Sequence, residues 1–300
     1  MPSIAVVLSA YNGEKYIREQ IDSILEQDLN PDDRLTLFIR DDGSSDDTVE
    51  VLQPYAAMPN VHIVSGVNKG VVRSFMALIQ AVPDDFDYIA LSDQDDKWLP
   101  DKISRAIALL SKQNAAIPQL YCSEYYFCDE NLGSQKASHL NRIGISFSNM
   151  FYENVASGNT MMFNRTLARL LKQAKPSEIY CHDWWIALVA SAFGNVIFDS
   201  YPCLYYRRLA SSVSPTGSSG LALLRYRFNT FFKSGELDDI KRQLRYFKRS
   251  FDSELTDDQR SLLDLYVTGS RFAKALHPFR LRQTLRAELA VRTLLLLGLL

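Results

Sequence analysis

Short apolar runs alternate with amphipathic helical segments through the first third of the chain, and this alternation limits the folds that are available. The runs are Ile4 to Ser9, Leu35 to Ile39, Val61 to Ser65 and Tyr88 to Ser92. Each run precedes a polar loop and a stretch with helical periodicity, as in Ile17, Ile21 and Ile24 after the first run. Repeated strand–helix units of this kind predict an α/β fold with a doubly wound, mostly parallel sheet.

Polar loops of the kind that binds ligands follow three of the four predicted strands. They are Tyr11-Asn12 after the first, Asp41-Asp42 after the second, and Asp93 to Asp96 after the fourth. Ligands of open α/β sheets bind outside the carboxyl ends of the strands, so these loops predict one binding site. The chain has no G-x-G-x-x-G and no P-loop pattern, which argues against a dinucleotide fold and a P-loop nucleotidase.

The loop after the fourth strand carries three carboxylates in four positions, namely Asp93, Asp95 and Asp96. Like charges about 4 Å apart repel by roughly 4 kcal/mol at an effective dielectric near 20, so a positive group is expected among them. Oxygen ligands without a nearby His or Cys favour Mg²⁺ or Mn²⁺. We hypothesise a metal that bridges the protein to a diphosphate; an acidic turn without metal is the alternative.

The second half is less regular. Predicted strands lie at 121–128, 158–163, 196–199 and 203–207, and predicted helices at 165–174 and from His182 to a stop at Gly194. The run Ser211 to Gly220 is rich in Ser, Gly and Pro and marks a boundary. We therefore expect a catalytic-type domain over 1–215 and a helical, basic extension over 216–300.

The charge of the chain is unevenly distributed. Residues 221–300 hold 15 Lys and Arg against 9 Asp and Glu, whereas the first 220 residues hold 18 against 26. The basic and aromatic pattern at 224–233 and 241–249 predicts peripheral contact with an anionic membrane face. A helical subdomain with a solvated basic face is the alternative. Nucleic-acid binding is disfavoured, because the body is acidic and no recognition motif occurs.

A cytoplasmic location, peripheral at the inner face of the cell membrane, is expected. The four cysteines are scattered without a C-x-x-C pair, which is typical of reduced, intracellular proteins. No basic n-region precedes the first apolar run, and no stretch reaches the roughly 20 apolar residues of a membrane span.

Five motifs in fixed order carry a family resemblance. They are Ser9-Ala-Tyr-Asn12, Asp41-Asp-Gly-Ser44, Asn68-Lys-Gly70, Asp93-Gln-Asp-Asp96-Lys-Trp98 and His182-Asp-Trp-Trp185. With these motifs the chain resembles the family 2 glycosyltransferases of GT-A fold over about residues 3–210. The last two motifs look most like those of bacterial rhamnosyltransferases for O-antigen and cell-wall polysaccharides.

The resemblance implies inverting transfer of a sugar from a nucleoside diphosphate donor to a polysaccharide or lipid-linked glycan. L-Rhamnose from dTDP-L-rhamnose is the best-matching donor. A UDP-hexose-dependent transferase of the same family and a degenerate nucleotide-sugar-binding protein are the alternatives. A nucleotidyltransferase is less well supported, because Ser9 to Gly13 is not a glycine-rich, basic loop.

The same resemblance implies individual roles. Those implied to bind the nucleotide sugar are Ser9, Tyr11, Asn12, Asp41, Asp42, Asn68, Asp93, Gln94 and Asp96. Tyr11 and Asp41 would line the base pocket, and Asp93 would face the ribose. Asp95, together with Asp93, would hold the metal.

Asp183 matches the family's catalytic base and would deprotonate the acceptor hydroxyl. Its place at a helix N-terminus favours the ionised form, although such a residue can also be a simple helix cap. Trp184 and Trp185 are candidates for stacking on a sugar ring. Adjacent residues on a helix point in different directions, so at least one of them is expected in the core.

One position departs from the family pattern. A His that completes the metal shell often follows a Tyr-Arg strand, and here Leu209 follows Tyr205 to Arg208. Leucine cannot ligate a metal. Either water fills that position, or Arg207 or Arg208 offsets the diphosphate charge directly, which would weaken metal dependence.

Overall fold

A seven-stranded sheet forms the centre of the molecule in the computed structural model, which describes residues 1–208 and 235–300. The strands are, in chain order, β1 (Ser3–Ala10), β2 (Arg34–Asp41), β3 (Val61–Ser65), β4 (Tyr88–Ser92), β5 (Lys97–Trp98), β6 (Gln119–Ser123), β7 (Tyr126–Cys128), β8 (Lys136–Ala137), β9 (Met162–Asn164), β10 (Asn195–Asp199) and β11 (Leu204–Arg207). The central sheet has the order β10-β6-β9-β4-β1-β2-β3, and a smaller sheet has the order β5-β11-β7-β8. In the central sheet, β9 is antiparallel to both neighbours and the other pairs are parallel.

Helices cover the sheet and continue beyond it. They are α1 (Ile17–Leu25), α2 (Thr48–Leu52), α3 (Val71–Ala81), α4 (Lys102–Leu110), α5 (Arg165–Lys172), α6 (His182–Phe193), α7 (Glu236–Phe251), α8 (Asp257–Thr268), α9 (Arg271–Leu276) and α10 (Leu285–Leu296). Short 3₁₀ helices lie at Gln53–Ala57, Asn149–Phe151, Gly158–Thr160 and Pro176–Glu178. The predicted α/β class, the mostly parallel sheet and the C-terminal helices are confirmed.

Burial on both faces explains the apolar strands. Ile4, Val6 and Leu8 of β1 belong to one core cluster, whereas Ala5 and Val7 belong to the other. Successive side chains of a strand point to opposite faces, so a strand covered on both sides must be apolar throughout. This is why β1 lacks the alternation of a half-exposed strand.

The predicted strand at 121–128 is two strands in different sheets. β6 lies in the central sheet and β7 in the smaller one, and the chain changes direction at Glu124. The buried Glu124 carboxylate accepts a hydrogen bond from the backbone N–H of Leu140 at 2.9 Å. The backbone N–H of Glu124 donates to the Asp199 carbonyl at 3.0 Å. A single strand would leave this carboxylate without partners inside the protein.

Gly194 ends α6 as predicted. A glycine is needed at this position because a side chain would not fit, and not because the backbone is left-handed. Its φ is −160°, which is ordinary extended backbone. A Cβ at this position would lie 1.8 Å from the Pro118 carbonyl oxygen. The chain can therefore enter β10 beside Pro118 only if residue 194 has no side chain.

The C-terminal helices share a core with the sheet-bearing body. Trp185 of α6 stacks on Tyr246 of α7 at 5.1 Å between ring centroids, and Phe247 and Phe251 lie 5.9 and 6.1 Å from the same ring. The aromatic residues at 241–249 thus pack inward, and the expectation that they face a membrane is wrong for Tyr246 and Phe247. The predicted linker, the boundary at 215 and the pattern at 224–233 lie outside the described residues.

None of the helices within 1–208 and 235–300 is both long and apolar enough to span a bilayer. The four cysteines are unpaired, and all except Cys181 are fully buried.

Phe247→Ala should destabilise the whole molecule rather than the C-terminal helices alone. Phe247 is 0% exposed, and removing a buried phenyl ring costs about 3–5 kcal/mol. Urea unfolding monitored by tryptophan fluorescence measures this loss. Leu289→Ala is the matched control, because Leu289 is 70% exposed and its truncation should change stability by less than about 0.5 kcal/mol. Equal stability of Phe247→Ala and wild type would contradict a shared core.

Candidate active site

The loops after β1, β2 and β4 meet at one edge of the sheet. These strands are parallel neighbours, with Ala10 of β1 paired to Asp41 of β2 and Leu8 paired to Ser92 of β4. The Asp42 N–H also donates to the Ala10 carbonyl at 2.7 Å. The sequence motifs that follow the three strands are therefore brought together.

Gln94 ties the β1 loop to the acidic loop. Its Oε1 accepts the Tyr11 N–H at 2.7 Å, and its Nε2 donates to the Tyr11 carbonyl at 2.9 Å. The Tyr11 side chain itself is 48% exposed, which leaves its ring open to a ligand. Gln94 thus positions the loop through backbone contacts, while Tyr11 offers a surface for stacking.

Asn12 joins the loops after β1 and β2. Its φ of 51° is left-handed, a conformation that Asn tolerates better than most residues. Its N–H donates to Ser44 Oγ at 2.9 Å, and its Oδ1 accepts the Ser45 N–H at 2.8 Å. With the amide oxygen engaged in this way, Asn12 shapes the site by fixing its two loops.

The buried Asp42 carboxylate organises the loop after β3. It accepts Arg40 Nη2 at 3.0 Å and the N–H groups of Lys69 and Gly70 at 3.0 and 2.9 Å. At 2% exposure, these contacts occupy both oxygens. The structure therefore favours a positioning role for Asp42 over the predicted contact with a donor. Asn68, in the loop that Asp42 holds, is exposed.

Ser9 and Asp41 lie deeper at the same edge. Ser9 Oγ donates to Ser74 Oγ of α3 at 2.7 Å, which anchors the end of β1 to that helix. Asp41 is 3% exposed, and its Oδ1 accepts the Ser44 N–H at 3.2 Å. Its Oδ2 has no protein partner among the described residues, so Asp41 retains an acceptor for a ligand at this edge.

The acidic motif is electrostatically strained. Burial, then repulsion by Asp95 and Asp183, raise the pKa of Asp93 to about 7. Burial also raises the pKa of Asp95, and raises that of Asp96 well above its usual range. Asp96 is 0% exposed; its Oδ2 accepts Asn159 Nδ2 at 2.6 Å, whereas its Oδ1 has no partner among the described residues. Simultaneous ionisation of all three carboxyl groups is thus unfavourable in the protein alone.

The Arg207 side chain supports the acidic motif by binding the backbone of that loop. Its Nη1 donates to the carbonyls of Asp95 and Asp96 at 2.9 and 3.3 Å, and its Nη2 pairs with Glu19. The Arg207 side chain is 3% exposed, so the alternative in which it reaches a diphosphate is not supported. Arg208 is exposed and lies over the Phe127 ring. Leu209 lies outside the described residues.

Lys102 is a buried cation next to the motif. It is 1% exposed, its Nζ donates to the Asn159 carbonyl at 3.0 Å, and it sits 4.4 Å from the Trp98 ring centroid. Burial lowers the pKa of Lys102, while Asp96 and Asp93 act in the opposite direction. The sequence did not predict roles for Lys102, Asn159 or Glu19, and it predicted Arg207 only as a contact of the diphosphate. Lys102, at the start of α4, has the pattern of an ordinary exposed helix residue.

The residues present fit a divalent cation. Asp93 and Asp95 are carboxylates with raised pKa values and mutual repulsion, and a cation between them would remove that repulsion. No group of three or more His, Cys, Asp or Glu side chains is arranged to hold a metal in the part of the chain that the structure describes. A metal held by two carboxylates would complete its shell with water and phosphate oxygens, as Mg²⁺ commonly does.

Asp183 faces the acidic motif from the first turn of α6. Its Oδ2 accepts the Gly158 N–H at 3.2 Å, and its Oδ1 accepts the Trp184 N–H at 2.6 Å and the Cys181 thiol at 2.8 Å. A Cβ at Gly158 would lie 3.1 Å from the Asp183 Cβ. The carboxylate is thus held in one orientation, and it has the acceptor capacity of both a cap and a base.

The two tryptophans after Asp183 are core residues. Trp185 is 0% exposed, and Trp184 is 8% exposed with its indole N–H donating to the Met150 carbonyl at 2.5 Å. The prediction that Trp185 stacks on a sugar is therefore wrong. The same prediction for Trp184 is not supported, because its ring has no exposed face. Their bulk instead anchors α6, which carries Asp183.

Fold and site together define a glycosyltransferase of GT-A type. The sequence pattern described as "Glycosyl transferase family 2" matches residues 5–180. The chain belongs to glycosyltransferase family 2, whose members use nucleotide sugars.

Two relatives illustrate the similarity in sequence. The dTDP-rhamnosyl transferase RfbG of Shigella flexneri is 31% identical over 213 residues, which covers 67% of this chain and 71% of that protein. The putative teichuronic acid biosynthesis glycosyltransferase TuaG of Bacillus subtilis is 23% identical, covering 71% of this chain and 82% of TuaG.

Solved structures show the same fold at low identity. S. aureus TarS 1-349 in complex with UDP-GlcNAc aligns with a TM-score of 0.58 and 14% identity, over 100% of this chain and 90% of that one. The mannosyltransferase PcManGT from Pyrobaculum calidifontis, in complex with GDP-Man and Mn²⁺, aligns with a TM-score of 0.52 and 16% identity, over 98% and 86%.

Asp95→Asn should weaken binding of Mn²⁺ by at least about tenfold, because it would remove one of the two carboxylates proposed to hold the metal. Thermal unfolding with a nucleoside diphosphate and increasing Mn²⁺ measures the effect. Asp47→Asn is the control, since Asp47 is an exposed carboxylate at the start of α2. The same Mn²⁺ response in Asp95→Asn and wild type would remove Asp95 from the metal site.

Proposed function

We propose that the protein transfers a sugar, L-rhamnose from dTDP-L-rhamnose, with inversion to a hydroxyl of a polysaccharide or lipid-linked glycan. The observation that carries this proposal is that the acidic motif and the motif of Asp183 come together at Asp93. Burial, and then repulsion by Asp95 of the same loop and by Asp183 of α6, raise the pKa of the Asp93 carboxyl group to about 7. The acidic loop, proposed to hold the donor, and Asp183, proposed as the base, thus lie close enough to affect the same carboxyl group.

The donor would lie along the edge formed by the β1, β2 and β4 loops. Tyr11 and Asp41 would contact the base, with Asn68 nearby, and Asp93 would accept a hydrogen bond from the ribose. Asp95 and Asp93 would hold Mg²⁺ or Mn²⁺, which offsets charge on the leaving diphosphate. Asp96, buried and bonded to Asn159, would act by fixing the loop next to the donor sugar.

Asp183 would take the proton from the acceptor hydroxyl. The acceptor oxygen then forms a bond to the anomeric carbon, while the bond from that carbon to the phosphate oxygen breaks on the opposite face. The nucleoside diphosphate leaves with the electron pair, and the configuration inverts. The N–H of Gly158 and the thiol of Cys181 hold Asp183 in orientation for this role.

Similarity to a dTDP-rhamnosyl transferase supports L-rhamnose as the donor sugar. TarS and the mannosyltransferase were solved with UDP-GlcNAc and GDP-Man, so the same fold accepts other bases and sugars. A UDP-hexose donor is the second candidate, and binding without transfer is the third. These alternatives are separated by the following measurement.

Wild-type protein should bind dTDP-L-rhamnose more tightly than UDP-GlcNAc or GDP-mannose, and release dTDP when a glycan acceptor is added. Asp183→Asn should bind the donor with about the same affinity but lose transfer by a factor of about 10² or more, because the base is gone. Calorimetry measures binding, and release of nucleoside diphosphate measures transfer.

Glu178→Gln is the control for the Asp183 variant, since Glu178 is a partly exposed carboxylate four residues before α6. Preference for a UDP-sugar would replace the donor while keeping the reaction. Equal loss of binding and transfer in Asp183→Asn would reduce Asp183 to a helix cap, and donor binding without any transfer would favour a degenerate binding protein.

We also propose peripheral contact with an anionic membrane, now through α9 and α10. Large apolar side chains are exposed there by 51–76%, namely Phe272, Leu276, Phe279, Leu285, Leu289 and Leu297. Residues 270–300 hold six Lys and Arg and a single acidic side chain, Glu288. Glu288 is 6% exposed and paired with Arg292 at 2.7 Å, so its charge is neutralised inside the fold. Of the six cations, Arg271 and Arg286 are exposed, and anionic lipid would be attracted to them.

Vesicle co-sedimentation should show binding to vesicles that contain phosphatidylglycerol and little binding to pure phosphatidylcholine. Replacing Leu285 and Leu289 with Gln should weaken binding by about tenfold or more, because buried apolar area contributes to interfacial affinity. Val64→Gln is the control, since Val64 is 53% exposed on β3, away from this surface. Equal binding of the double variant and wild type, or no binding by wild type, would contradict membrane contact.

A further inference from the structure

A cavity lies where the C-terminal helices meet the part of the protein that contains the central sheet. Its volume is about 220 Å³. Lining residues include Tyr152 from the body, and Lys241, Arg245, Tyr266, Lys274 and Leu300 from the C-terminal part. None of these residues belongs to the candidate active site, so the cavity is a separate feature of the fold.

Three cationic side chains line this cavity, and no Asp or Glu side chain of the described residues does. Lys241 and Arg245 lie one turn apart on α7, and Lys274 comes from α9. Lys241 pairs loosely with Asp238 at 3.6 Å, and the Asp238 side chain is 84% exposed. Across residues 1–208 and 235–300, neither Arg245 nor Lys274 forms an ion pair. Arg245 and Lys274 are therefore left without an Asp or Glu partner among the described residues.

Lys274 is the most buried of the three cations. Its residue surface is 9% exposed, yet its ammonium group has no hydrogen-bond acceptor among the described residues. Burial, and then repulsion by Lys241 and Arg245, lower the pKa of Lys274. A buried cation with two cationic neighbours is unfavourable unless an anion enters the space between them.

We propose that this cavity is a binding site for a phosphate group. A volume of about 220 Å³ exceeds the roughly 30 Å³ share of a water molecule several times, which leaves room for a phosphoryl group with bound water. Arg245 offers the planar fork that matches two phosphate oxygens, and the two lysines add point charges. The ligand is either free inorganic phosphate or a phosphate monoester such as a lipid headgroup.

Binding here would strengthen the junction between the two parts of the molecule. The anion would join α7 and α9 to the segment at Tyr152. Two residues before Tyr152, the Met150 carbonyl accepts the indole N–H of Trp184, next to Asp183. Because the site exists only in the folded chain, its ligand would raise stability by mass action.

Thermal unfolding of the full chain tests the proposal without reference to catalysis. Millimolar inorganic phosphate should raise the Tm of wild type more than sodium chloride of equal ionic strength does. Lys274→Met should bind phosphate about tenfold more weakly or worse, because one charge-assisted contact is lost. Without phosphate, Lys274→Met should be at least as stable as wild type, since the repulsion is removed. A purely structural lysine would give the opposite result.

Lys274→Arg should retain the phosphate response, and Lys112→Met, at an exposed lysine after α4, should leave it unchanged. Phosphate that enters the donor site raises the Tm of all variants alike, so the difference between wild type and Lys274→Met is the measured quantity. No response beyond chloride, or an equal response in Lys274→Met, would overturn the proposal. Tighter binding of glycerol 1-phosphate than of phosphate identifies a headgroup as the ligand; the reverse order identifies the free ion.

Discussion

Repulsion among the carboxylates after β4 is the constraint on which the rest of the site depends. Three acidic side chains follow a buried strand, and the surrounding residues divide the task of holding them there. Arg207 binds the backbone of the loop, and Lys102 with Asn159 supports the buried Asp96. Neither Asp93 nor Asp95 forms an ion pair with a described residue; the charges of Lys102 and Arg207 act on Asp93 and Asp95, respectively, only through space. The contacts of the fold thus go to Asp96 and to the loop backbone, and the proposed metal and nucleotide would meet Asp93 and Asp95.

The sheet and the edge that carries the site were predictable from the sequence because both follow local rules. Apolar runs of five or six residues give buried strands, and parallel neighbours bring their loops to one edge. The supporting residues were not predictable in this way. Arg207 reaches Asp95 from more than a hundred positions away, and Glu19 completes the contact from α1. No local pattern distinguishes such an arginine from an exposed one.

The C-terminal helices also show that a local sequence pattern does not determine what a side chain contacts. Tyr246 and Phe247 lie among lysines and arginines in the sequence, a pattern that favours an interface. In the structure, one face of α7 packs these rings on Trp185, while Arg245 and Arg249 remain outside that core. A basic amphipathic helix has an apolar side in either setting, and only tertiary packing decides what covers it. The apolar residues left exposed lie further along, on α9 and α10.

The pair of hydrogen bonds between Gln94 and the Tyr11 backbone has a thermodynamic consequence. It joins the β1 loop, which we propose contacts the base, to the acidic loop, which we propose contacts the diphosphate, so ordering either loop would lower the entropy cost of ordering the other. A nucleotide without its sugar, or a sugar phosphate without its base, would then lose more affinity than its missing contacts alone contribute. Selectivity for an intact donor would thus depend on one glutamine amide.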